Sequence, residues 1–98
     1  MLIKIHKSYR NVIAICDSNL LGKKFEEGKM QLDLTGEFFN GEEKTDSEIL
    51  KIMQDASTED ATFNIVGEHA TGLAIKAGII DKKSIKKIQG IPVALTLL

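Results

Sequence analysis

Ile3 and Ile5 alternate with Lys4 and His6 near the start of the chain, and further on Met30, Leu32 and Leu34 alternate with Gln31, Asp33 and Thr35. Successive side chains of a strand leave opposite faces, so each run predicts a strand with one wet face, the first over Leu2–His6. Val12–Cys16 is apolar without a break and predicts a more central strand, joined to the first through Ser8–Asn11. Thr62–Val66 is a further short apolar run. Residues 85–89 and 91–98 read as two more extended segments hinged at Gly90. Pro92, the only proline, belongs at a strand start or edge, because it has no N–H to give to a ladder.

Between these runs the period changes to that of a helix. Ala70, Leu73, Ala74 and Ala77 follow the i, i+3, i+4, i+7 spacing of one buried face, with Gly78 as a stop and Ile79 and Ile80 packing beyond it. Thr45 followed by Glu48 is a capping box, in which each side chain satisfies a backbone N–H of the other. The helix it opens turns Ile49, Leu50 and Met53 inward. Asp17 or Ser18 caps a shorter helix carrying Leu20, Leu21 and Phe25, with Gly28 at its end. Residues 36–44 read as loop, with a turn at Asn40–Gly41 and at least one of Phe38 and Phe39 folded onto the core. Asp81–Ser84 is a polar turn. The predicted order is ββαβαβαββ: an α+β fold in a single small domain over residues 1–98, with a mixed sheet and about three helices mainly on one face.

Composition narrows the setting. A chain of 98 residues, 43% hydrophobic and 28% charged, has material for one core. Cys16 is the only cysteine, so it has no internal disulfide partner, and within its apolar run it reads as a small buried side chain. That usage suits a reducing compartment. No apolar run approaches the roughly 18 residues of a membrane helix, and the expectation is a cytoplasmic protein with no membrane partner. The net charge of −1 hides a segregation: Lys and Arg exceed Asp and Glu by 3 over residues 1–29 and again over 61–98, and fall short by 7 over 30–60. Were the two ends of the chain to pack side by side, the surface would divide into a basic and an acidic side.

The chemistry-bearing candidates are few. At Gly67, Glu68 and His69 a strand turns directly into a helix, and with Asn64 nearby these residues form a candidate ligand or anion site. A carboxylate and an imidazole there suit proton transfer; equally, Glu68 in a first helical turn simply meets the positive end of the helix dipole. No nucleotide or phosphate-loop fingerprint accompanies the turn. His6, His69, Asp17 and Glu68 lack the paired spacing of metal ligands, and Cys16 has no basic neighbour, so no metal, cofactor or catalytic residue is assigned.

Lys82, Lys83, Lys86 and Lys87 are the densest basic cluster and, with Lys4, Lys7 and Arg10, a candidate surface for RNA phosphates. The plainer reading is an edge strand whose lysines discourage unwanted pairing. Tyr9 is the only tyrosine and tryptophan is absent, so stacking platforms for single-stranded RNA are scarce. The acidic block from Glu37 to Asp60 is a solvated face or a dock for a basic ribosomal or translation protein. An exposed edge on the C-terminal strand would support a homodimer.

Asp17, Leu21, Gly22, Lys23, Phe25, Glu26, Glu27 and Gly28, then Leu32, Phe39, Gly41 and Glu42, then Asn64 to Glu68 form one set of residues. With Ala74, Gly78, Ile79, Ile80, Gly90, Ile91 and Pro92, it resembles the archaeal family catalogued as domain of unknown function 424 over nearly the whole chain. The resemblance implies an archaeal source and a compact domain, and brings no assigned activity. Relatives often carry a histidine after the C-terminal proline, where this chain has Val93; chemistry resting on that histidine would be missing here. The preferred function is a non-catalytic binding or adaptor module associated with RNA, the ribosome or the translation machinery. The alternative is a small-ligand or anion-binding protein, or a small enzyme, using the turn at Gly67–Glu68–His69.

Overall fold

A computed structural model describes residues 1–97 of the chain, so the expected strand end at Leu98 lies outside the described residues. Strands β1 (Leu2–His6) and β2 (Val12–Cys16) form an antiparallel pair in which Ile3 faces Ile15. A 3-10 turn at Ser18–Leu20 follows, then β3 (Lys24–Glu27), β4 (Met30–Asp33) and the short β5 (Glu42–Glu43). Helix α1 (Asp46–Ser57) carries the chain to β6 (Thr62–Val66), and α2 (Glu68–Ala77) follows β6 after one residue. A second 3-10 turn at Lys82–Ser84 leads to β7 (Lys86–Ile88) and β8 (Ile91–Leu97). Six strands form one sheet in the order β5-β1-β2-β6-β8-β7; β2 and β6 are parallel, and the other neighbours are antiparallel.

The sheet is buried on both faces, which explains the unbroken apolar character of β2. Ile13 and Ile15 of β2, with Phe63 and Ile65 of β6, pack under α1 and α2 against Ile49, Met53, Ala70 and Ala74. On the opposite face Ala14, Cys16 and Val66 meet Leu20, Leu32, Leu34 and Phe39. That second layer is the β3–β4 hairpin and the loop after it. Phe39 folds into the layer while Phe38 stays half exposed, stacked on His6 with ring centroids 4.5 Å apart.

Two α-helices stand among the described residues where three were expected. Residues 18–28 form the 3-10 turn and β3 in place of a helix, and Phe25 pairs with Leu32 across the hairpin. Leu21 and Phe25 lie four apart, which suits a helix, but Phe25 also alternates with the exposed Lys24 and Glu26 as a strand requires. Gly28, with φ of +60°, opens the two-residue hairpin connection with Lys29. The same glycine would have served a helix stop, so tertiary burial of Leu32 and Phe25 over the sheet decides between the two.

The other helices follow their local signals. Thr45 Oγ1 accepts from the Glu48 N–H at 3.2 Å while Thr45 N donates to Glu48 Oε1 at 3.0 Å. Gly78 ends α2 at φ +79°. Pro92 sits at the second residue of β8, inside the sheet. In a strand the N–H and C=O of one residue leave the same edge; the Pro92 carbonyl accepts from Gly67 N at 2.9 Å, so an N–H on residue 92 would face the Gly67 carbonyl, already taken by Thr71 N. The missing donor therefore leaves no acceptor unpaired.

β1 and β8 are not neighbours, since β2 and β6 stand between them. Lys4, Lys7 and Arg10 are consequently kept apart from the lysines of residues 82–87, whereas Lys24 and Lys29 belong to the β3–β4 hairpin, which contacts β7. β7 also covers β8 over Ile91–Val93, which takes that stretch of the C-terminal strand away from the sheet edge.

Candidate functional site

β6 meets α2 at Gly67, whose φ of +111° is closed to other residues without strain. A Cβ there would fall 2.4 Å from the Asp17 carboxylate. Asp17 leaves the end of β2, its N–H donating to the Val66 carbonyl at 3.1 Å. Its side chain accepts from His69 N at 3.1 Å and from Ala70 N at 2.8 Å. The first-turn amides that would attract an external anion are thus held by an internal carboxylate, which also meets the positive end of the helix. Asp17 caps α2 and makes no side-chain capping bond to the 3-10 turn that follows it in sequence. The contact spans 52 residues, and no local pattern announces it.

The other members of that candidate set part company. Asn64 sits on the hairpin side of the sheet, in register with Ala14 and Leu95, on the face away from α2. His69 Nε2 lies 2.7 Å from Asp46 Oδ2, tying the first turn of α2 to that of α1. Glu68 and His69 do share an open hollow of about 290 Å³ with Asp46, Gly72, Leu73 and Lys76. His6 is at the far end of the sheet, its Nε2 within 2.9 Å of the Phe38 carbonyl. Among the described residues no three His, Cys, Asp or Glu side chains are grouped to hold a metal ion. Cys16 is buried, and burial first, then the Asp17 charge, raises its thiol to about 11.

Glu68 also faces the second candidate set. It lines a groove of about 420 Å³ between α2 and the segment from the second 3-10 turn to β7, opposite Lys82 and Lys87, over Ile75, Ile85 and Pro92. Asp81 Oδ1 accepts from Lys83 N at 2.7 Å and fixes the turn that carries Lys82 and Lys83. Lys86 and Lys87 are consecutive on β7 and so leave opposite faces. Lys87 enters the groove, while Lys86 lines an apolar hollow on the hairpin side with Met30, Val93 and Leu95. All four lysines are exposed, and among the described residues none is in an ion pair. Elsewhere Arg10 pairs with Asp60 at 3.0 Å and Lys44 with Glu42 at 3.4 Å. Lys4, Lys7 and Arg10 belong to β1 and the turn after it, with three strands between β1 and β7, and do not extend the lysine cluster.

One residue in this groove has no part in the sequence reading. Gly72 lies exposed in the middle of α2, lining both the 420 Å³ groove and the 290 Å³ hollow. Its signal was available as a glycine inside a helical pattern.

The crystal structure of an uncharacterized conserved protein from Methanopyrus kandleri superposes with a TM-score of 0.86 at 25% identity, covering 97% of this chain and 88% of that one. Among curated proteins there is no match. A family model described as "Protein of unknown function (DUF424)" matches residues 6–97, and the chain belongs to that family.

Proposed function

We propose that this chain is a non-catalytic binding module of the cytoplasm, a single domain that uses the groove between α2 and β7 to engage RNA or a ribosomal or translation protein. One observation carries the reading: four exposed lysines without ion-pair partners among the described residues, two of them walls of a groove with an apolar floor. An unpaired lysine keeps its charge available to a partner, and an apolar floor rewards burial of whatever the charge brings in. Lys82 and Lys87 act there together, and Lys83 and Lys86 add to the local positive field.

Affinity capture with the tagged full chain from its native host tests this. A Lys82→Glu/Lys87→Glu variant is expected to lose the partner that the parent chain retains, and rising salt should weaken the parent's retention. Equal retention by both, or retention indifferent to salt, contradicts the reading. The ligand or enzyme reading at Gly67–Glu68–His69 has the His69–Asp46 pair in its favour. Against it, the helix amides are already occupied by Asp17.

A further inference from the structure

We infer that the partner is engaged through a polypeptide segment that crosses α2 at Gly72, with an acidic residue on the Lys82–Lys87 side and an apolar residue beside it. This rests on the binding-module reading and names what fills its groove. The starting point is a glycine that the fold does not need. Gly72 has helical backbone within α2, and a Cβ added there meets nothing within 4 Å. Neither a positive φ nor a close neighbour excludes a side chain, while glycine inside a helix is less favourable than alanine. What the missing side chain does is leave the helix backbone open to close approach.

Its position gives that opening a use. The groove on one flank of α2 and the hollow on the other both reach Gly72 and Glu68, so the bare backbone at residue 72 is a saddle between them. One flank offers Ile75, Ile85 and Pro92 under Lys82 and Lys87. The other offers Leu73 beside Asp46, His69 and Lys76, and Glu68 stands on the ridge. A nucleic-acid strand laid over the saddle carries a phosphate at every step and would bring them against Glu68 and Asp46. A polypeptide sets a single acidic side chain against Lys82 and Lys87, clear of Glu68, and places an apolar side chain on the floor beside it.

The test selects displayed random dodecapeptides, and in parallel random single-stranded RNA of the same length, on the full chain. Expected are enriched peptides in which an acidic residue and an apolar one lie close together. Their affinity should fall about tenfold or more in Gly72→Ala and Gly72→Gln. Both variants should melt at or above the parent temperature, so the loss is not unfolding. Peptides that lose affinity for Lys82→Glu/Lys87→Glu yet bind Gly72→Ala as tightly as the parent overturn the crossing and leave the groove reading standing. Peptides indifferent to both changes overturn both. Enrichment of RNA alone, sensitive to Gly72→Ala, makes the occupant a nucleic acid, and no enrichment in either pool removes the inference.

Discussion

Asp17 shows how a single side chain can close a site that looks open in sequence. The turn at Gly67 is legible, because an apolar run, a glycine and a helical period follow one another within a few residues. The carboxylate that fills it comes from the end of β2, and only the parallel pairing of β2 with β6 brings the two together. Replacing Asp17 with alanine removes a helix cap and should cost about 1–2 kcal/mol in urea unfolding. Gly67→Ala strains a positive φ and also meets the Asp17 carboxylate, for a loss of about 1–3 kcal/mol or more. Because one partner of that clash is Asp17 itself, the double variant should lose less than the two single losses combined.

Cys16, in the strand position just before, predicts a pH effect. Its thiol ionises near 9 when unfolded and near 11 in the fold. A native value above the unfolded one means that stability is fully present below about pH 9 and falls as the pH rises toward 11. The fall is of order 2–3 kcal/mol. Urea unfolding from pH 8 to pH 11 should show it, and Cys16→Ala, less stable throughout, should show a flatter profile.

Among the elements, those with strong local signals form where the pattern puts them. The Thr45–Glu48 box starts α1, Gly78 stops α2, and the Thr62–Val66 run is β6. Thr45→Ala should therefore destabilise by about 1 kcal/mol. The Thr45 backbone N–H, followed by its hydroxyl, holds Glu48 below its ordinary value, so the support this carboxylate gives α1 is present at neutral pH and is lost as the pH falls through the acidic carboxylate range. The β3–β4 hairpin was not legible as such. Leu21, Phe25 and Gly28 satisfy a short helix as well as they satisfy a strand and a tight turn, and only the apolar face of the sheet, absent from any local window, chooses. Gly72 is the converse case, an irregularity in a clear helix whose setting, the hollows on either side of α2, no local window contains. Gly72→Ala should raise stability by about 1 kcal/mol, a gain of roughly 4–8 °C in Tm for a domain of this size.

At the scale of the molecule, strand order decides what charge segregation can do. Lys4, Lys7 and Arg10 lie across the six-stranded sheet from the basic 82–87 stretch, while Lys24 and Lys29 lie on the hairpin that contacts β7, so the groove beside α2 does not collect the whole basic charge of the N-terminal stretch. It has instead a local juxtaposition: two lysines, an apolar floor and a glutamate around the outer side of α2. That juxtaposition is half legible, since the lysines, Glu68 and the turn at Asp81–Ser84 stand in the sequence, while the packing that sets the turn and β7 beside α2 has no local signal. Hydrogen–deuterium exchange of the full chain, alone and with its captured partner, locates the working surface directly. Protection should concentrate in residues 68–76 and 82–87. Protection confined to the hairpin side around Met30 and Leu95, or to the β1 edge, with α2 exchanging as in the free chain, would contradict a contact surface built on α2.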